Sequence, residues 1–211
     1  MCSAIRSRGQ SPTFIEEARR AQIIACAIDT LAELGYAHTS LARIGERAGI
    51  SKGLISYHFA TKDELLEQVA ITVYQAGAAY VTPRIQAERT APAMLAACLR
   101  SNLEFLRDHG RDIAAARQVI GNLRTAGGEL RFSGHTAGDE QILQAIQVIL
   151  RKGQADGDFR QFDPATMAWV IRSAIDGAAQ RAAREPGFDF DACIGELTAL
   201  FQRATAAAGP R

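Results

Sequence analysis

Apolar residues recur every three or four positions along most of this 211-residue chain, the spacing that places side chains on one face of a helix. Alternating runs of β-branched residues, which mark half-buried strands, are nearly absent. The first stripe is preceded by a capping pair, Thr13 with Glu16, and followed by Gly35, which suits a helix end. Its members are Ala21, Ile24, Ile28, Leu31 and Leu34. The pattern predicts an all-α protein.

Two short helices are predicted after Gly35. The first begins at Thr39 or Ser40, turns its apolar residues inward and ends at Gly49. Ser51 then caps a third helix after a connection of only two residues. Two short helices joined by so tight a turn form a helix-turn-helix, whose second helix can enter the major groove of DNA. A further capping pair, Thr61 with Glu64, starts a fourth helix at residue 62 that extends beyond Val73.

Longer helices are predicted in the rest of the chain, over 92–107, 111–124, 139–154, 164–184 and 190–205. A Gly-rich connection, residues 125–139, separates the second from the third, and connections that long in compact domains are usually functional or mobile. The tail from residue 204 is expected to fray. The chain therefore divides into a three-helix helix-turn-helix domain, residues 1–62, and a larger helical domain, residues 63–211.

Composition restricts the class of protein. The chain is 47% hydrophobic and 22% charged, which is ordinary for a soluble protein. No apolar run reaches the roughly 18 residues needed to span a bilayer, and the N-terminus lacks a secretory pattern, so we expect a cytoplasmic protein. The net charge of +1 is uneven, because residues 1–62 carry +3 and the remainder −2. This bias is compatible with nucleic-acid binding, although a solvated helix face can produce it as well.

The reactive side chains are scattered. The cysteines Cys26, Cys98 and Cys193 lie far apart and suit small core positions, and the four histidines fall in no metal-ligand spacing. No nucleophile, base and orienting group occur at recognisable spacing. We therefore predict no metal, no cofactor and no enzymatic activity.

A specific resemblance lies in residues 38–66. The segment HTSLARIGERAGISKGLISYHFATKDELL resembles the DNA-binding domain of TetR-family transcriptional regulators, and residues 153–177 also look like regulators of that family. The matching positions are Ser40, Ile44, Ala48, Gly49, Ile50, Ser51, Gly53, Tyr57, His58, Phe59, Lys62 and Leu65. The resemblance implies a homodimer that binds a palindromic operator in double-stranded DNA, with a C-terminal domain for effector binding and dimerisation.

The candidate DNA contacts lie at helix starts and on the third helix, where N–H groups and the positive dipole end favour phosphate oxygens. Ser40, Ser51, Tyr57, His58 and Lys62 are expected on phosphates. At the leading edge of the recognition helix, Lys52 can donate to guanine, Leu54 can touch a thymine methyl and Gly53 permits close approach. Their alternative interpretation is a solvated surface. Ile44, Ala48, Ile50, Ile55 and Phe59 are expected in the core.

Other positions depart from the family pattern or stay open. Ser56 stands where a DNA-contacting Tyr is common, so its contact is not carried over. Gly45 replaces the usual Ala and should weaken the second helix by about 1 kcal/mol. Arg43 can contact bases or only the DNA backbone. Arg6 and Arg8 can follow phosphates or the minor groove, or belong to an unstructured tail.

The last two helices are predicted to form the dimer contact. The helix over 164–184 is apolar on nearly every side, which requires burial on every side, and the last helix carries a stripe of Phe190, Ile194, Leu197, Phe201 and Ala204. As the resemblance implies, both would pair with their mates. Purely intramolecular packing is the alternative.

The resemblance also implies a small-molecule effector among the middle helices. An apolar lining favours a hydrophobic or aromatic compound, oriented by Asn102 or Arg172, although each position is also explained as simple core. The candidates expected to face inward are Leu99, Asn102, Leu103, Leu106, Ile120, Leu123, Ile146, Trp169 and Arg172.

The sequence as a whole favours a ligand-responsive repressor. The alternatives are a DNA-binding activator or regulator that has no effector, and an all-α enzyme.

Overall fold

The computed structural model describes residues 14–132 and 137–207, and these are helical throughout except for connections and two isolated β-bridges. The fold therefore confirms the all-α prediction. The helices, in chain order, are α1 (Phe14–Leu34), α2 (Leu41–Ala48), α3 (Lys52–His58), α4 (Lys62–Gln86), α5 (Ala91–Asp108), α6 (Gly110–Asn122), α7 (Ala137–Ala155), α8 (Pro164–Ala182) and α9 (Phe190–Thr205), with a 3₁₀ turn at Tyr36–His38. Arg6, Arg8, the Thr13 cap and residues 133–136 and 208–211 lie outside the described residues.

The helix boundaries follow local signals closely in the N-terminal part. Ser40, Ser51 and Thr61 cap α2, α3 and α4 through their hydroxyl oxygens, as predicted. The later boundaries differ by a few residues. For example, α8 ends at Ala182, two residues before the predicted end, because the chain turns through 183–185 before Pro186.

The first hydrophobic core joins the helix-turn-helix to the rest of the chain. Ile23, Ala27 and Leu31 of α1 pack with the buried residues of α2, α3 and α4. Ala115 and Val119 of α6, and Leu123 directly after it, belong to the same cluster. The helix-turn-helix therefore rests on both α4 and α6, and a shift of either helix moves its support. The division after residue 62 stays a prediction.

The second core lies between α5, α7, α8 and α9. Its fully or nearly fully buried members include Leu95, Leu99, Leu150, Ile171 and Phe201. Phe159, in the connection after α7, lies over Gly153 and donates its backbone N–H to the Gly153 carbonyl at 2.9 Å. A methyl group built on Gly153 would lie 2.1 Å from a Phe159 ring carbon. Glycine at 153 is therefore what allows the Phe159 ring to close this end of the core.

Replacing Gly153 with alanine should destabilise the protein. The ring must move out of a packed core, at a cost of about 1–3 kcal/mol that exceeds the gain in helix propensity of about 1 kcal/mol or less. Urea unfolding followed by circular dichroism measures the difference. Gly121→Ala is the matched control, since nothing lies within 4 Å of its built methyl. Equal midpoints for the two variants would contradict the packing argument.

Candidate nucleic-acid interface

The turn between α2 and α3 is held by backbone hydrogen bonds. Gly49 is left-handed at φ 64° and donates to the Glu46 carbonyl at 3.2 Å, while Ile50 donates to the Gly45 carbonyl at 2.9 Å. These two bonds are the Schellman arrangement that ends helices. Ser51 follows at once, and its hydroxyl oxygen accepts from the Leu54 N–H at 3.2 Å. The turn therefore fixes the angle between α2 and α3 with only three residues, Gly49, Ile50 and the Ser51 cap, between the helices.

Gly45 has a second role beside the expected loss of helix propensity. It is buried, and a methyl group built on it would lie 2.8 Å from the Ile50 carbonyl oxygen. The turn thus approaches α2 more closely than an alanine allows without a backbone shift. Glycine permits this close packing of the turn, and the packing offsets part of the loss of helix propensity expected at residue 45.

The recognition helix α3 has two different sides. Ile55 and the following Phe59 are completely buried, which confirms their predicted place in the core. Lys52, Gly53, Leu54 and Ser56 are exposed, and Tyr57 is 61% exposed. An exposed leucine and tyrosine beside a lysine form a mixed polar and apolar surface that faces away from the chain's own core. The predicted contact residues of α3 therefore lie on its open side.

Contacts from α1 hold the far end of α3. Arg20 donates to the His58 carbonyl, and its guanidinium lies 4.2 Å from the centre of the Phe59 ring. The Tyr57 hydroxyl lies 3.4 Å from a carboxylate oxygen of Glu16, also on α1. His58 is half-buried, with its ring edge-on to Tyr57. No local spacing predicts this role of Arg20, because it lies 38 positions from His58 in the chain.

The starts of α2 and α4 supply the remaining predicted contacts. The Ser40 oxygen accepts from the Arg43 N–H at 3.3 Å, and the Arg43 guanidinium donates to the His38 carbonyl at 3.2 Å. The half-buried Lys62 places its ammonium 4.9 Å from the Tyr36 ring centre, in the turn before α2. This cation–π contact joins the start of α4 to the segment leading into α2.

Some basic side chains near this face form ion pairs, and others do not. Glu33 accepts from Arg47, and Arg111 pairs with both Glu33, at 2.8 Å, and Asp29, at 3.2 Å. The hydrogen bond from Arg47 is the main reason that the pKa of Glu33 is lowered. The ion pairs among the described residues include neither Arg43, Lys52 nor Lys62. These three cations remain available to an anionic partner.

The candidate effector residues do not converge on one site. Leu99 and Ile146 lie in the second core, and Leu103 in a small adjoining cluster that Leu106 also contacts. Leu123 is buried in the first core, under the helix-turn-helix, with Ile120 packed against it. Asn102 donates to the Cys98 carbonyl at 2.8 Å, and Arg172 pairs with Asp139 and Asp176.

The expectation that Trp169 faces inward is wrong. Its side chain is 57% exposed, because the buried face of α8 carries Ala168, Ile171 and Ile175 instead. Trp169 and Val170 lie on the outer face with Leu200 of α9. An apolar groove of about 460 Å³ also lies between α8 and α9, and none of the effector candidates lines it. The groove is lined by Phe162, Asp163, Thr166, Met167, Val170, Ala174, Leu200, Phe201 and Ala204.

The fold and this face define a helix-turn-helix protein with a helical body. Residues 23–69 match the family model of the bacterial regulatory proteins, tetR family, which confirms the resemblance found in the sequence. This family match covers the helix-turn-helix region, residues 23–69. The chain spans less than half the length of the curated relatives that it matches first. One relative is the HTH-type transcriptional regulator BetI of Burkholderia mallei, 37% identical over 91 residues, or 43% of this chain and 47% of the relative.

Solved structures share the whole fold. The fatty acid degradation regulator FadR of Bacillus halodurans superposes with a TM-score of 0.75 at 17% identity, over 92% of this chain and 97% of FadR. AibR in complex with isovaleryl coenzyme A and operator DNA gives a TM-score of 0.67 at 17% identity, over 86% and 97%. In the part of this chain that the structure describes, none of the helices has the length and apolarity that crossing a membrane requires.

Arg20→Met should loosen the recognition helix without unfolding the protein. Methionine keeps an apolar cover over Phe59 but loses the bond to the His58 carbonyl, worth about 1 kcal/mol for this half-buried donor. Amides of α3 should then exchange with solvent about fivefold faster, as measured by hydrogen exchange with mass spectrometry. Arg19→Met is the control, since Arg19 lies on the same helix and donates to the side chain of Gln22 instead of to α3. Equal exchange in both variants would show that Arg20 does not hold α3.

Proposed function

We propose that this protein is a homodimeric, DNA-binding transcriptional regulator without enzymatic activity, acting in the cytoplasm on a palindromic operator. The observation that carries the proposal is the way in which α3 is held, with one side buried and the other exposed. Its inner side is locked into the core by Ile55 and Phe59, while Lys52, Gly53, Leu54 and Tyr57 stay open to solvent. A helix held this way presents its side chains to a groove at a fixed angle.

The predicted contacts divide into two kinds. Lys52, Gly53 and Leu54 are proposed to face base edges, since they form the first turn of α3. Ser40, Ser51, Tyr57, His58 and Lys62 are proposed to hold phosphates, which position the protein but carry no sequence information. Arg43 and Ser56 are exposed beside them. For Tyr57 to contact a phosphate, its hydroxyl must leave Glu16.

The outer face of α8 and α9 is the proposed dimer contact. Trp169, Val170 and Leu200 are large apolar side chains exposed on one chain, and Val170 and Leu200 also line the groove between the two helices. Apolar surface of this kind on a soluble protein marks an interaction site. A second copy is the occupant that a palindromic operator requires, because its two half-sites need two recognition helices. The Trp169 indole would then report dimerisation rather than ligand.

Repression released by a small effector is the proposed mode of control. The first core connects the helix-turn-helix to α4 and α6, so a ligand that shifts either helix can change the separation of the two recognition helices. Such a ligand works only through a difference in its affinity for the two conformers. The proposed division into residues 1–62 and 63–211 falls at the start of α4, and the first core extends across it. An activator, or a regulator that has no effector, is the second candidate.

Operator binding should respond differently to the two kinds of contact. Lys62→Ala should weaken binding to every sequence and lower the slope of log K against log salt by about 1, whereas Lys52→Ala should relax preference at one base pair by about 1–3 kcal/mol. The measurement is fluorescence anisotropy on palindromes that the unaltered protein selects from random double-stranded DNA, at several salt concentrations. Lys152→Ala is the control, because Lys152 lies on α7 and pairs with Asp156.

The selection step also tests the proposal as a whole. Enrichment of a symmetric site supports the proposed regulator. If no double-stranded DNA is enriched, the proposed function is wrong. If Lys62→Ala and Lys152→Ala bind alike, the proposed placement of Lys62 on a phosphate is wrong.

Val170→Glu should convert the dimer to a monomer, because it places a charge in the proposed apolar contact, where it would be desolvated without a partner. Sedimentation velocity measures the mass. Val148→Glu is the control, because Val148 is also an exposed valine but lies on α7, outside the proposed contact. Its side chain is 61% exposed, against 40% for Val170. A Val170→Glu protein that sediments like the unaltered chain would place the dimer contact elsewhere.

A further inference from the structure

A chain of polar contacts crosses the middle of the helical body. On α8, Arg172 places Nε 3.3 Å from a carboxylate oxygen of Asp176 and Nη2 3.3 Å from one of Asp139, on α7. The Tyr74 hydroxyl, on α4, lies 3.0 Å from the same Asp139 oxygen and donates to it. The Arg172 and Asp139 side chains are only 18% and 22% exposed. One carboxylate therefore links α4 to α8.

The position of Tyr74 gives this chain a mechanical consequence. α4 begins at Lys62, directly after the recognition helix, and its residues Val69 and Ala70 are part of the core that supports the helix-turn-helix. Tyr74 lies one turn further along. Asp139 is therefore bonded to the helix that supports the helix-turn-helix.

Arg172 is incompletely satisfied by its own chain. Its Nε is buried and makes no hydrogen bond, since the Asp176 oxygen lies within ion-pair distance but outside hydrogen-bond geometry. Nε and Nη2 form the edge that binds a carboxylate in the bidentate manner. In this structure that edge is divided between two different carboxylates, each at 3.3 Å. A single carboxylate facing the edge would make two shorter bonds in place of these.

The neighbouring groups do not supply the missing acceptor. Burial raises the pKa of the Cys98 thiol to about 12, despite the nearby Arg172 charge, so the thiol stays neutral. Burial is also the main reason that the pKa of Asp176 is raised, against the lowering effects of Arg172 and Arg117. Asp176 is consequently a weaker anionic partner than an exposed carboxylate.

We propose that the effector carries a carboxylate that binds the Nε and Nη2 edge of Arg172 in place of Asp139. The displaced Asp139 then gives up its hydrogen bond with Tyr74, and α4 is released from α7. This inference rests on the proposed function and specifies the group by which its effector is recognised, a carboxylate. The effector gains a bidentate charge-assisted pair that a neutral analogue lacks. Its differential affinity for the conformer without the Asp139–Arg172 pair is what shifts the population.

The coupling is tested without any ligand. Tyr74→Phe and Asp139→Ala should each change affinity for the selected operator by about threefold to tenfold, in the same direction, and the double variant should match the single variants because both break one link. Tyr80→Phe is the control, since Tyr80 is on the same helix and contacts Phe105 and Arg84 through its ring. Unchanged affinity in both single variants, or fully additive effects, would overturn the coupling.

The ligand class is tested with matched pairs. Octanoate and octanamide, and benzoate and benzamide, differ only in the charge of the head group. The acids are expected to raise Tm and lower operator affinity of the unaltered protein, and the amides are not. In Arg172→Lys, which keeps the charge but loses the planar edge, the response to the acids should fall about tenfold or more.

Arg181→Met is the control in these titrations, because Arg181 is on the same helix and pairs with Glu185 at the surface. Three results would each overturn the carboxylate assignment. They are amides as effective as the acids, an undiminished response in Arg172→Lys, and no response to any pair. A protein that selects no operator fails at the proposed function instead, so the two failures are distinguishable.

Discussion

The burial of Ile55 and Phe59 beneath α3 is the contact on which the proposed function depends. A helix of seven residues is too short to be stable by its own hydrogen bonds. Its conformation and its direction come from α1, which covers Phe59 with Arg20, and from the three-residue turn after α2. The polar side of α3 is free to face a partner only because the apolar side is fully occupied.

The same core explains how a distant event can reach α3. Its members come from α1 to α4 and also from α6, so the helix-turn-helix has no hydrophobic core that is separate from the body. Packed interiors are stiff and transmit displacement rather than absorb it. The chain from Tyr74 through Asp139 to Arg172 joins this supported helix to α8, whose outer face carries the exposed Trp169 and Val170. Two helices, α4 and α8, thus connect the proposed DNA-binding face to the interior of the helical body and to the proposed dimer contact.

Local signals in the sequence predicted much of this arrangement. Hydroxyl caps at Ser40, Ser51 and Thr61 fixed the starts of three helices, because capping involves residues three positions apart. Periodicity identified Ile55 and Phe59 as the inner side of α3. It failed at Trp169, because α8 is apolar on several sides and its period alone does not say which side meets the core and which is left for another surface.

The sequence by itself therefore determined the all-α class, the helix-turn-helix and the residues of its open face, all of which depend on neighbours within about one helical turn. The tertiary structure alone decided the contacts between residues far apart in the chain. It paired Arg20 with His58, placed Leu123 beneath the helix-turn-helix rather than in a ligand site, and brought Tyr74, Asp139 and Arg172 together. The physical reason is that these contacts depend on the angles at which helices pack, and those angles are set by the whole core rather than by any local pattern.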